Sequence, residues 1–144
     1  MDFRKIIPML IQEFKDAKVD YALIGGFALG ALGMVRATAD VDFLIDAKDY
    51  EKVAGIMRKL KYRCVHKTEN VSQFVSDVKI FGQVDFLHAF RKISLEMLKQ
   101  ASEKKIFEGK KEEKLKELKK RHAKKKPCRK NELFYRYPQA ADFI

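Results

Sequence analysis

Three aspartates and one glycine pair are the residues whose types and spacing could do chemistry. Asp40 and Asp42 flank Val41 at the start of the apolar run Val41–Ile45, and Asp85 sits in a second such run, Val84-Asp85-Phe86-Leu87. On a strand, residues two apart point to the same face, so Asp40 and Asp42 stand close together. Two neighbouring carboxylates repel each other, and one resists ionising unless a cation neutralises the pair. Oxygen-only donors suit Mg²⁺ or Mn²⁺, ions that also bind substrate phosphates. With Asp85 as a third acid, the set could clamp two ions for in-line displacement at phosphorus. Gly25-Gly26 closes the apolar run Val19–Ile24 and precedes a short helix-compatible stretch. A turn without Cβ atoms lets backbone N–H groups approach a phosphate, with a helix N-terminus behind them. Taken singly, each feature also has a plain structural reading: a turn, a strand-end acid pair, an edge acid.

The elements that must position these residues follow from periodicity. Phe3, Ile6, Ile7, Leu10, Ile11 and Phe14 fall at helical spacing over residues 2–17, with Pro8 either kinking the helix or marking its first turn. Val19–Ile24 reads as a buried strand and Phe27–Leu32 as a short helix stopped by Gly33. In Val41–Ile45, Val41, Phe43 and Ile45 share one face, and Asp40, Asp42 and Leu44 share the other. A helix starts between Asp46 and Asp49, with the apolar stripe Tyr50, Val53, Ile56, Met57 and Leu60. Strands are expected at Tyr62–His66, Val71–Ile80 and Gln83–His88, with a tight turn at Gly82. A helix capped by Ser94 is expected to run to Phe107, and a Lys/Glu-rich helix from Lys110 to Lys126. This order predicts a small mixed-sheet α/β or α+β domain over 1–109, followed by a basic helical segment and an aromatic tail over 110–144.

Composition bounds the rest. A chain of 144 residues with 47% hydrophobic content can bury a core as one domain. No run of 18 apolar residues occurs and the first residues do not resemble a secretory signal, so a cytoplasmic protein with no membrane span is expected. Cys64 and Cys128 lack metal-ligand spacing and read as free thiols. His66, His88 and His122 show no metal spacing either. His88 follows Asp85 by three residues and projects from the opposite face of its strand, either as a strand-end histidine or facing a substrate. The net charge of +11 is concentrated: residues 101–130 carry 14 basic and 5 acidic side chains, against 16 and 13 over the first hundred. That segment is a solvated helix, an arm contacting RNA phosphates, or a dock for an acidic partner.

The combination Gly25-Gly26, thirteen residues, Asp40-Val41-Asp42-Phe43 and a later strand aspartate resembles the nucleotidyltransferase superfamily of DNA polymerase β, CCA-adding enzymes and the small antibiotic and antitoxin nucleotidyltransferases. The string IGGFALGALGMVRATADVDFLI looks closest to small stand-alone AbiEii-like members, and the likeness in element order covers about residues 1–107. The resemblance implies transfer of an NMP from an NTP to a hydroxyl acceptor, with release of pyrophosphate. It implies Mg²⁺ or Mn²⁺ held by Asp40, Asp42 and Asp85, with Asp85 also a candidate base. Gly25 and Gly26 would hold the triphosphate. Arg36 would neutralise a phosphate, and Thr38 would orient an acid or the metal. The acceptor would be RNA, a protein side chain or a small molecule, and the antitoxin members suggest a toxin partner. The other reading is a catalytically inactive nucleotide- or RNA-binding antitoxin-like module that keeps the fold.

Overall fold

The computed structural model describes residues 1–31, 39–105 and 134–137. Arg36, Thr38, Gly33, Cys128, His122 and the Lys110–Lys126 segment lie outside them.

Helix α1, Phe3–Asp16, turns Ile6, Ile7, Leu10, Ile11 and Phe14 inward, and all five are fully buried. Pro8 lies inside this helix rather than at its first turn. Lys18, at φ 54°, reverses the chain into β1, Tyr21–Ile24. Helix α2, Gly25–Ala31, follows directly, so the glycine pair opens the helix instead of forming a separate turn before it. Next come β2, Val41–Asp46, a single 3₁₀ turn, Ala47–Asp49, and α3, Tyr50–Lys59. The remaining elements are β3, Tyr62–Lys67; β4, Val71–Ser76; β5, Gln83–Ala89; α4, Lys92–Gln100; β6, Ser102–Lys105; and β7, Phe134–Tyr137.

Five strands form one sheet in the order β1-β2-β5-β4-β3, in which only β2 and β5 are parallel. A parallel pair needs a crossover, and residues 47–82 supply it through α3 and the β3–β4 hairpin. The expected mixed α/β sheet is therefore the observed one. One face packs under α1 and α3: Phe14 meets Phe43 edge-on at 5.3 Å, Phe43 stacks on Phe86 at 5.8 Å, and Phe74 meets Phe86 at 5.7 Å. Aromatic pairs at such separations add to the burial of the rings themselves. On the other face, among the described residues, Leu98 of α4 packs on Ala22, Leu44 and Ala89.

Three expectations change. The strand expected over Val71–Ile80 ends at Ser76, and the chain turns through Gly82 at φ 58°. The helix expected over Ser94–Phe107 runs Lys92–Gln100 with Arg91 at its cap, while the Ser94 hydroxyl donates to the Arg91 carbonyl at 2.9 Å. Ala101, at ψ 125°, leaves the helix, and Ser102–Lys105 pairs antiparallel with Phe134–Tyr137. Ser-Glu-Lys-Lys has no strong strand propensity, so a partner some thirty residues on overrides local preference. The pairing joins residues from both sides of the 109/110 division. Arg136 of β7 donates to Asp20 and to the Leu98 carbonyl, tying this hairpin to the entry of β1 and the end of α4.

Gly55 lies within α3, and a Cβ there would meet nothing within 4 Å. Gly55→Ala is expected to stabilise the fold by about 0.5–1 kcal/mol, because alanine loses less backbone freedom in a helix. A rise in thermal midpoint checks this.

Candidate active site

The parallel register puts Asp42 of β2 directly beside Asp85 of β5. Strand alternation sends Val41, Phe43 and Ile45 into the core, which leaves Asp42 on the other face with Asp85. On its opposite flank β2 pairs antiparallel with β1, where Ile24 faces Asp42. Gly25 follows Ile24 and bends the chain into α2 at φ +73°. A Cβ at Gly25 would stand 2.9 Å from Asp42 Cγ and closer still to Oδ2. Gly25 is therefore glycine for two reasons: its backbone conformation and the carboxylate pressed against it.

Asp40 immediately precedes β2. Burial first, and then the charges of Asp40 and Asp85, push the Asp42 carboxyl up to about 6. This is the signature of neighbouring acids sharing one partly desolvated place. Asp40 and Asp85 thus each act on Asp42, and Gly25 and Gly26 open the helix alongside. The donors are all carboxylate oxygens, which suits a hard divalent ion. Among the described residues no three acidic, histidine or cysteine side chains stand close enough to hold an ion as they are placed, so the Asp42–Asp85 pair is the part of the set already in register.

Two further residues belong to this site. Gln83 Nε2 donates to Asp85 Oδ1 at 2.9 Å, and Gln73 Nε2 donates to Asp85 Oδ2 at 3.3 Å. Gln73 is the register partner of Asp85 on β4. The sequence signal for both was weak: Gln83 lies two residues before Asp85 on one strand, but Gln73 sits in a run whose alternation reads ambiguously.

His88 lies on the core face, away from the acids. Its Nδ1 donates to the Glu69 carbonyl and its Nε2 accepts from the Ser72 hydroxyl, each at 2.9 Å, so it is a buried neutral imidazole in a satisfied network. Burial lowers its pKa and Lys67 adds to that, against the opposing bond to Glu69. A folded pKa below the unfolded value gives stability that is present above the unfolded value, about 6.5, and is lost as pH falls through the folded one. His88→Gln is expected to flatten that acid loss relative to the parent in thermal melts taken from pH 7 down to 5. Cys64 is an exposed free thiol, as expected from its isolation.

No protein-family model matches the sequence, and no curated protein matches it significantly. Solved structures do match. The lincosamide antibiotic adenylyltransferase LnuA, lincomycin-bound, aligns with 74% of this chain and 65% of its own at 21% identity and a TM-score of 0.53. The antibiotic-resistance factor ANT(2'')-Ia in solution aligns with 62% of this chain and 49% of its own at 18% identity and a TM-score of 0.52. Its crystal structure with adenylyl-2''-tobramycin gives 60% and 49%, at 17% identity and a TM-score of 0.52. The fold is that of the nucleotidyltransferases. The chain spans less than two-thirds of the length of each of these proteins. What the likeness establishes is the nucleotidyltransferase fold: the mixed five-stranded sheet with flanking helices. No helix among the described residues is long and apolar enough to cross a membrane.

Proposed function

We propose that the chain is a nucleotidyltransferase of the AbiEii-like kind. It would move an NMP from an NTP to a hydroxyl acceptor and release pyrophosphate, with Mg²⁺ or Mn²⁺ held by Asp40, Asp42 and Asp85. The observation that carries this reading is the in-register Asp42–Asp85 pair beside Gly25, with the Asp42 carboxyl pushed up to about 6 by burial and its acidic neighbours. Acids crowded in this way call for positive charge. When bound, the divalent ion stabilises the charge that develops on the phosphoryl oxygens and the leaving group.

The chain's own residues do the rest. Gly25 and Gly26 present backbone N–H groups to the triphosphate, since no Cβ intervenes on the Gly25 side. Asp85 receives the acceptor hydroxyl proton on its carboxylate as the new oxygen–Pα bond forms and the Pα–pyrophosphate bond breaks. Arg36 is assigned to a phosphate and Thr38 to orienting an acid. The acceptor is the hydroxyl of a small molecule, an RNA end or a protein side chain. The test incubates the full chain with each α-labelled NTP, Mg²⁺ and pools of the three acceptor classes. Labelled product from the parent but not from Asp42→Asn is the expected result. Nucleotide binding without product from any pool would instead favour the binding-module reading.

A further inference from the structure

Asp85 is gripped at both carboxylate oxygens by amides that the chemistry above leaves unused. The two donors come from different strands. Gln83 reaches Oδ1 from two residues earlier on β5, and Gln73 reaches Oδ2 from the neighbouring β4. Register sets Asp42, Asp85 and Gln73 in one row across β2, β5 and β4. Asp85 thus has a repelling carboxylate on one flank and a donor on the other. We propose that Gln73 and Gln83 are positioning residues, holding Asp85 in place against Asp42 so that a divalent cation finds both acids already side by side. This rests on the reading of Asp85 as a metal ligand.

The chemistry of the two residues fits that role. An ionised carboxylate only accepts hydrogen bonds and offers about four lone-pair sites on two oxygens. One amide on each oxygen leaves each with acceptor capacity for an ion. A lysine or arginine at either position would also pin Asp85, but its charge would compete with the cation. An amide donates without adding charge. Asp85 is only partly buried, so without these bonds its side chain could turn away from Asp42 towards solvent. Groups that orient metal ligands in this way typically contribute about 10- to 100-fold to metal affinity.

The experiment measures Mn²⁺ affinity of the full chain without nucleotide, by electron paramagnetic resonance of the free ion. Gln73→Met and Gln83→Met keep the unbranched shape and lose the donor. Each is expected to weaken Mn²⁺ binding about 10-fold with the thermal midpoint preserved. A second measurement needs no variant for its effect: in ¹⁵N-labelled parent protein, trace Mn²⁺ should broaden the side-chain NH₂ signals of Gln73 and Gln83 before those of Gln12 and Gln100, with the variants supplying the assignment. Asp42→Asn is the reference. If it loses Mn²⁺ while both glutamine variants bind like the parent, the positioning role is overturned and the metal site stands. If all variants including Asp42→Asn bind alike, the metal site falls and the positioning role falls with it.

Discussion

Asp42→Asn is expected to abolish turnover and yet to make the metal-free protein more stable near neutral pH. The loss of activity should be on the order of 1,000-fold or more, because a metal's stabilisation of the transition state amounts to several kcal/mol and each 1.4 kcal/mol is tenfold. The gain in stability follows from the direction of the pKa shift. Burial, then Asp40 and Asp85, raise the folded-state value to about 6. A carboxyl raised on folding binds more protons folded than unfolded, so stability falls as pH rises from the ordinary carboxylate range through the folded value. Above that value the penalty is fully present. Asp42 is only partly buried, so solvent screening reduces the penalty to about 1 kcal/mol. Asparagine keeps the size and removes the charge.

Thermal melts at pH 5 and 7.5, with and without Mg²⁺, separate the effects. The variant should melt above the parent at pH 7.5 without metal, by a margin that narrows at pH 5. Mg²⁺ should raise the parent's midpoint at pH 7.5, much less at pH 5, and the variant's at neither, since only a ligand that binds the folded state stabilises it. A variant that melts below the parent at pH 7.5 would mean that Asp42 is held by a favourable partner rather than crowded by acids.

The parts of this site that were legible in the sequence are those set by short-range rules. Alternation alone put Val41, Phe43 and Ile45 on one face and Asp42 on the other, and the structure buries all three apolar residues completely. The pairing of Asp42 with Asp85 needed more than alternation. It depends on β2 and β5 being parallel neighbours, a register that 36 intervening residues decide. The resemblance to nucleotidyltransferases supplied that link where spacing could not.

β4 shows why the glutamines escaped notice. Its inward residues are Ser72, Phe74 and Ser76, and its outward ones are Val71, Gln73 and Val75. Polarity is nearly inverted relative to burial, because Ser72 satisfies His88 inside the core and Ser76 donates to the Lys61 carbonyl. A buried hydroxyl with a partner costs little, so the pattern carried no warning. The β6–β7 ladder was illegible for a different reason. Its partners lie far apart in sequence, and Ser-Glu-Lys-Lys by itself reads as the end of a helix.

Gly25→Ala is expected to damage the site more than any other single added methyl group. At φ +73° a Cβ-bearing residue costs about 1–2 kcal/mol in backbone strain alone. The added Cβ would also come within 2.9 Å of Asp42 Cγ, a separation that forces something to move. Gly25 is fixed by the β1–α2 junction, so Asp42 is what gives way. Stability should fall by about 2–3 kcal/mol, within the margin most domains can lose while remaining folded. Turnover should fall by about 100-fold or more, since displacing a catalytic group by about 1 Å has that effect.

Backbone strain and carboxylate displacement can be told apart by repeating the substitution in an Asp42→Ala background. Removing the carboxylate relieves the two shortest contacts and leaves the backbone strain, with the Cβ of residue 42 still at 3.1 Å. The stability cost of Gly25→Ala should therefore shrink there by about 1 kcal/mol, a coupling of the size found between contacting residues. Equal costs in both backgrounds would mean that Asp42 does not rest against Gly25. The glycine would then serve only the bend between β1 and α2. A clear coupling would make the first glycine of the pair a steric seat for Asp42 as well as the bend between β1 and α2.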